Sequence, residues 1–237
     1  MPTAQVNDIQ IYYEIHGEGE PLVLIGGLAN DSAAYTDRTS IAANLAQHYK
    51  VIAFDNRGVG RTDKPDIPYS IAMMAADTAG LMQAIGIKQA NIIGVSMGGR
   101  IALELTLEHP EMVKKLVLVS TAARTIQTWQ RRLLFATLSR IPIRGRYPQP
   151  HYAFERQREA SSSYNCTTRL AELHVPTLIL HGKKDKTTPY PLAEEMHNLI
   201  PDSKLITFNG GHIFLFLKQQ EFVHAVLDFL GREHQTA

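Results

Sequence analysis

Apolar residues in this chain fall into two kinds of run. The first kind is short, continuous and ended by turn formers. Pro21-Leu22-Val23-Leu24-Ile25 stops at Gly26-Gly27, and Val51-Ile52-Ala53-Phe54 stops at Asp55-Asn56-Arg57-Gly58. Ala90-Asn91-Ile92-Ile93-Gly94-Val95, Leu116-Val117-Leu118-Val119, Thr177-Leu178-Ile179-Leu180 and Lys204-Leu205-Ile206-Thr207-Phe208 have the same character. Runs apolar on both faces suit strands buried on both sides, as in a parallel sheet. The second kind repeats at helical spacing. Residues 39–49 put Ile41, Ala42, Leu45 and Ala46 on one face, and residues 71–85 do so with Met74, Ala75, Thr78, Leu81, Met82 and Ile85. Residues 100–107 and 222–230 follow the same period. Before all of these, Gln5-Val6, the turn formers Asn7-Asp8 and Ile9-Gln10-Ile11-Tyr12-Tyr13-Glu14-Ile15 read as a hairpin. Strand alternating with helix predicts the α/β class, with a mostly parallel central sheet flanked by helices.

One segment breaks the alternation. From about Arg124 to Arg169 the strand signal disappears. Helical patterns over 125–141 and 151–163 are separated by Pro142, Pro148 and Pro150. So short a stretch with few aliphatic runs does not bury enough surface to fold alone. The pattern therefore predicts one core domain, 1–123 plus 174–237, with 124–173 as a short helical cap, or lid, packed on it.

Composition narrows the class further. At 237 residues, with 44% apolar and 20% charged positions, the chain has ample material for a core, which excludes collagen, coiled coil and intrinsic disorder. A net charge of +1 gives no whole-chain case for a nucleic-acid partner. Cys166 is the single cysteine, so neither an internal disulfide nor a thiolate metal cluster is expected. The first residues lack a basic and an apolar signal region, and no run approaches the ~18 apolar residues of a membrane span. The expectation is a cytoplasmic protein without a membrane span.

The chemistry concentrates where strands end. Gly94-Val95-Ser96-Met97-Gly98 fits G-x-S-x-G, with a buried strand before it and Gly99 and a helical pattern after it. A serine on so tight a strand-to-helix turn needs small neighbours, and the helix start beneath it offers free N–H groups. The plainer reading makes Ser96 a helix cap and Gly98-Gly99 a packing device. A serine hydroxyl becomes a useful nucleophile only when a base takes its proton. Of the ten histidines, His212 directly follows a late strand, in Phe208-Asn209-Gly210-Gly211-His212. His181, read as a turn residue, is the second choice. An acid must orient that base. Asp185 follows the run Thr177–Leu180 through His181-Gly182-Lys183-Lys184, and residues 112–154 contain no Asp or Glu that could serve instead. An oxyanion hole needs two donors. The N–H of Met97 is one; the N–H of Leu28, after the run 21–25, is the other, with Gly27 the neighbouring alternative.

These segments resemble the α/β-hydrolase fold superfamily, over nearly the whole chain. Gly26-Gly27-Leu28 resembles the family's His-Gly-x oxyanion segment, with Gly26 in place of His. Asp55-Asn56-Arg57-Gly58-Val59-Gly60-Arg61-Thr62 resembles D-x-R-G-x-G-x-S, His181–Asp185 resembles H-G-x-x-D, and Gly210-Gly211-His212 resembles G-x-H. The nearest likeness is to small serine esterases, cofactor-free bromoperoxidases and 3-oxoadipate enol-lactonase relatives. The resemblance implies a hydrolase acting on an ester, thioester or lactone through an acyl-enzyme on Ser96, with His212 and Asp185 completing the triad. It implies no cofactor and no metal. Carbon–carbon hydrolase or perhydrolase chemistry on the same triad, or a low-turnover receptor of the same fold, are the alternatives it leaves open.

Charge adds a substrate expectation. Residues 124–170 hold nine arginines against Glu155 and Glu159 alone, a local charge of +7 that leaves −6 for the rest of a +1 chain. A solvated helix face accounts for this blandly. The sharper expectation is an anionic group on the small-molecule substrate, with Trp129, Arg131 and Arg132 in its binding site.

Overall fold

The computed structural model describes residues 2–126 and 147–231. Its strands are β1 (Thr3–Val6), β2 (Ile9–His16), β3 (Pro21–Ile25), β4 (Lys50–Phe54), β5 (Ala90–Val95), β6 (Val113–Val119), β7 (Thr177–Gly182) and β8 (Lys204–Phe208). They form one sheet in the order β1-β2-β4-β3-β5-β6-β7-β8. The hairpin and its junction to β4 are antiparallel, and every pair from β4 onward is parallel. The described helices are α1 (Ala33–Thr36), α2 (Ile41–Leu45), α3 (Ile71–Ala84), α4 (Met97–Glu108), α5 (His151–Ser163), α6 (Pro191–Leu199), α7 (Phe214–Leu217) and α8 (Gln219–Leu230).

The continuous apolar runs are strands because both faces are covered. Alternate residues of one strand enter opposite cores. Val23, Ile25, Ile92, Leu116, Leu118 and Ile179 pack on the side of α3 and α4. Leu22, Leu24, Ile93, Val117, Val119, Leu178 and Leu180 pack on the side of α2 and α8. Successive side chains of a strand point to opposite faces, so a one-residue slip would exchange the two cores.

Two local expectations differ from the structure. Helix over 39–49 shortens to Ile41–Leu45, because the chain must turn into β4. The N–H groups of His48 and Tyr49 both bond the Leu45 carbonyl in that turn. His181 is a strand residue rather than a turn residue: β7 runs on to Gly182, and the His181 side chain is fully buried. The helix expected over 151–163 coincides with α5, whereas the one over 125–141 lies, beyond Ile126, outside the described residues. Among the described residues, no helix is long and apolar enough to cross a membrane.

β3 pairs with β4 on one side and β5 on the other, so the chain crosses the sheet's middle between β4 and β5. Loops leaving β3 and β5 then diverge from adjacent carboxyl ends, which opens a crevice there. Ile25 and Gly94 sit side by side at those ends.

Candidate active site

The crevice is built around Ser96. Its backbone has φ +54° and ψ −113°, a left-handed conformation that costs an L-residue about 1–3 kcal/mol and persists only when its surroundings impose it. Three bonds impose it here. Ser96 N–H donates to the Val119 carbonyl at 2.8 Å, and the Ser96 carbonyl accepts from Gly99 N–H at 3.0 Å and from the Thr121 hydroxyl at 2.7 Å. The flanking glycines are required by contact. A Cβ on Gly98 would lie 2.1 Å from the Ile25 carbonyl oxygen, and one on Gly94 would lie 2.5 Å from the Gly98 oxygen.

His212 reaches this serine from the far side of the sheet's carboxyl edge. Its Nε2 is 3.0 Å from Ser96 Oγ and its Nδ1 is 2.8 Å from Asp185 Oδ2. The second carboxylate oxygen, Oδ1, accepts the N–H groups of Thr187 and Thr188, each at 2.8 Å. His181 Nε2 donates to the Thr188 carbonyl at 2.8 Å and lies 3.4 Å from Asp185 Oδ2. Burial alone would raise the Asp185 carboxyl; hydrogen bonds from His181 and His212 outweigh it and hold the carboxyl well below the usual carboxylate range. The loops carrying acid and base cross closely: a Cβ on Gly182 would meet the Gly210 oxygen at 2.4 Å. Ser120 Oγ donates to the His212 carbonyl at 2.9 Å and holds the main chain of His212. The three residues singled out from sequence are thus one connected chain of hydrogen bonds.

Leu28 and Met97, the residues expected to supply oxyanion donors, both border the cavity at Ser96. Met97 is the first residue of α4, where N–H groups have no intrahelical partner. Gly27 abuts the serine, since a Cβ on it would lie 3.3 Å from Ser96 Cβ, and Leu28 follows it. Leu28 and Met97 both line a cavity of about 250 Å3 whose wall also includes Ser96 and His212. Val95, Ile213, Leu215 and Phe216 make much of that wall apolar, and Asn30, Arg100, Ser161 and Thr188 add polar points. Asn56 Nδ2 donates to the Gly26 carbonyl at 2.9 Å and braces the loop after β3.

Arg100, Asn56 and Gln157 escaped the sequence reading. Arg100 is one turn past Ser96 and nearly buried, and it ties α4 to α5 through its bond to the Ser161 hydroxyl at 3.1 Å. Nothing local distinguishes such residues, because their partners come from other elements. The arginine-rich segment falls partly within the described residues. Arg124 pairs with Glu195, Arg156 with Asp66, Arg158 with Glu155 and Arg169 with Glu108, so these four serve carboxylates away from the cavity. Trp129, Arg131 and Arg132, together with Arg140, Arg144 and Arg146, lie outside the described residues.

Comparison with known proteins agrees with this architecture. Residues 20–136 match the family model described as the alpha/beta hydrolase fold, and residues 155–234 match that of TAP-like protein. The "Putative carbamate hydrolase RutD" of Azorhizobium caulinodans is 30% identical over 99% of this chain and 100% of that protein. The 2-hydroxy-6-oxo-6-(2'-aminophenyl)hexa-2,4-dienoic acid hydrolase of Metapseudomonas resinovorans is 27% identical over 94% of this chain and 88% of that protein. Among solved structures, the enol-lactonase from Burkholderia xenovorans LB400 superposes with a TM-score of 0.84 at 25% identity, covering 97% of this chain and 99% of that one.

Proposed function

Since the chain belongs to the α/β hydrolase fold family, we propose that it is a serine hydrolase of the carboxylesterase class. It cleaves a carboxylic ester, thioester or lactone through an acyl-enzyme on Ser96. The observation that carries this reading is the position of His212, with one ring nitrogen 3.0 Å from Ser96 Oγ and the other 2.8 Å from Asp185. A carboxylate only accepts, so Nδ1 carries the proton and Nε2 presents its lone pair to the serine hydroxyl.

In this mechanism Ser96 Oγ attacks the substrate carbonyl while His212 Nε2 takes the hydroxyl proton. The carbonyl oxygen becomes an oxyanion between the N–H groups of Leu28 and Met97. Collapse of the intermediate breaks the bond to the leaving group, which receives the proton from His212. Water then attacks the acyl-enzyme, again losing a proton to His212, and free acid leaves as Ser96 recovers its hydrogen. Asp185 holds the imidazole in one tautomer and stabilises the imidazolium. All five groups are this chain's own, and the scheme calls on no metal or cofactor.

The substrate is a small molecule that fits an apolar pocket. Residues 124–173 act as the cap over it, and Trp129, Arg131 and Arg132 would meet an anionic group on it. A second reading, carbon–carbon bond hydrolysis on the same triad, draws support from the Metapseudomonas relative. Steady-state hydrolysis of p-nitrophenyl butyrate tests the reading: Ser96→Ala should lose roughly 10⁴-fold or more in kcat while remaining folded. Retention of a tenth of the wild-type rate would overturn it.

A further inference from the structure

We propose that Gln157, on α5, is a positioning residue for the oxyanion hole, so that the seating of this helix sets how well the developing negative charge is stabilised. The inference rests on the acyl-enzyme reading above. It begins with the planarity of the peptide unit: pinning either its C=O or its N–H fixes the whole plane. Three successive planes around the Leu28 donor are each pinned by a different partner. The Gly26–Gly27 plane is held through the Gly26 carbonyl by Asn56 Nδ2 at 2.9 Å. The Gly27–Leu28 plane, which contains the donor N–H, is held through the Gly27 carbonyl by Asn30 N–H at 3.2 Å. The Leu28–Ala29 plane is held through Ala29 N–H, which donates to Gln157 Oε1 at 3.2 Å.

The third tether comes from farthest along the chain, 128 residues away, against 30 for Asn56. It acts where the backbone needs help, since Ala29 sits at φ +61°, a conformation that L-residues avoid. The Gln157 amide is itself locked. It has no exposed surface, its Nε2 donates to the Arg57 carbonyl at 2.7 Å, and its Oε1 also accepts from Gln149 Nε2 at 2.9 Å. Two donors meet Oε1 and one acceptor meets Nε2, so a flipped amide would oppose like groups at each contact. Arg57 in turn is held by Asp77 at 2.8 Å, a pair that is buried. The oxyanion loop is therefore tethered through Gln157 to both α5 and the core.

Loss of this tether frees the loop without removing any reacting group, so it acts on kcat rather than on substrate binding. The test compares Gln157→Leu with wild type for p-nitrophenyl butyrate kinetics and for affinity toward an alkylboronic acid, which forms a tetrahedral adduct on an active-site serine. The expected result is a kcat lower by about 10-fold or more, a KM changed by less than about 3-fold, and boronate affinity weakened by a factor similar to that in kcat. Ala160→Gly, on the same helix, is the control: it weakens α5 by about 1 kcal/mol without touching these bonds and should leave kcat in place. If Gln157→Leu does not fold, Gln157→Asn carries the test, since its amide stops about 1.5 Å short of Ala29. A kcat within about 2-fold of wild type for the folded Gln157 variant, or an equal loss in Ala160→Gly, would overturn the proposal. Ser96→Ala in the same assay separates the two claims, because only its retained activity would bring down the acyl-enzyme reading as well.

Discussion

Asp185 Oδ2 accepts the Nδ1 proton of His212 at 2.8 Å, while the other oxygen of the same carboxylate is occupied by two main-chain N–H groups. Asp185 is thus held by its own loop as well as by His212. That division explains how the loop leaving β7 after Gly182 can present a charge with a fixed direction. The chain returns to its own acid at Thr187 and Thr188, and His181 closes the turn from inside the strand.

A pH prediction follows from the carboxyl being held below its usual range. A depressed folded-state pKa means that the ionised form adds stability at pH above the unfolded value, about 3.9 for Asp, and that this stability is lost as pH falls toward the folded value. Wild type should therefore gain on Asp185→Asn as pH rises from strongly acid conditions to about pH 5, where the contribution of this carboxyl levels off. Thermal melts across that range measure it. A lead that kept growing through neutral pH would show that another group controls the difference. Asp185→Asn should also be impaired in hydrolysis, though less than Ser96→Ala.

Gly98 offers a steric test. Any Cβ there would press to 2.1 Å from the Ile25 oxygen, a main-chain atom that cannot swing away. Gly98→Ala should lose stability by several kcal/mol, as overpacking against fixed backbone does, and should lose activity with it. Gly86→Ala, whose Cβ would meet nothing within 4 Å, should leave activity in place and cost only the strain of its positive φ. Equal melting temperatures for Gly98→Ala and wild type would mean that the elbow has room the contacts deny.

Most of the sheet, and the order Ser96, Asp185, His212 that the fold brings together, are legible because their signals are local. Each parallel strand is a continuous apolar run, and each site loop begins at the glycines or polar residues that end one. The 3.3 Å approach a Gly27 Cβ would make to Ser96 Cβ joins two such loops through nothing more than strand order. Gln157 and Arg100 were illegible for the opposite reason. Each is an ordinary helix residue in sequence, and its meaning comes from partners such as the Ala29 N–H and the Ser161 hydroxyl that only the tertiary fold supplies. At His181, His-Gly after an apolar run reads as a turn, while the strand in fact continues through both residues.

The basic segment predicts a salt effect. Four of its nine arginines already face carboxylates, so what the segment adds to the attraction of an anionic substrate is expected from Arg131, Arg132 and their neighbours. An ester carrying a carboxylate should then show a higher kcat/KM than a neutral ester of equal size, and the gap should shrink with ionic strength on the Debye scale of about 10 Å at 0.1 M. Equal values at low salt, or no change in the double variant Arg131→Gln with Arg132→Gln, would leave those arginines as a solvated face.

The central claim is that Ser96 is a nucleophile activated by His212, and a covalent probe reads it most directly. Incubation with a fluorophosphonate, followed by intact and peptide mass spectrometry, should show one adduct on the peptide containing Ser96. Ser96→Ala should show none, and His212→Ala should label far more slowly. A wild-type protein that stays unlabelled, or an adduct that persists in Ser96→Ala, would contradict the account.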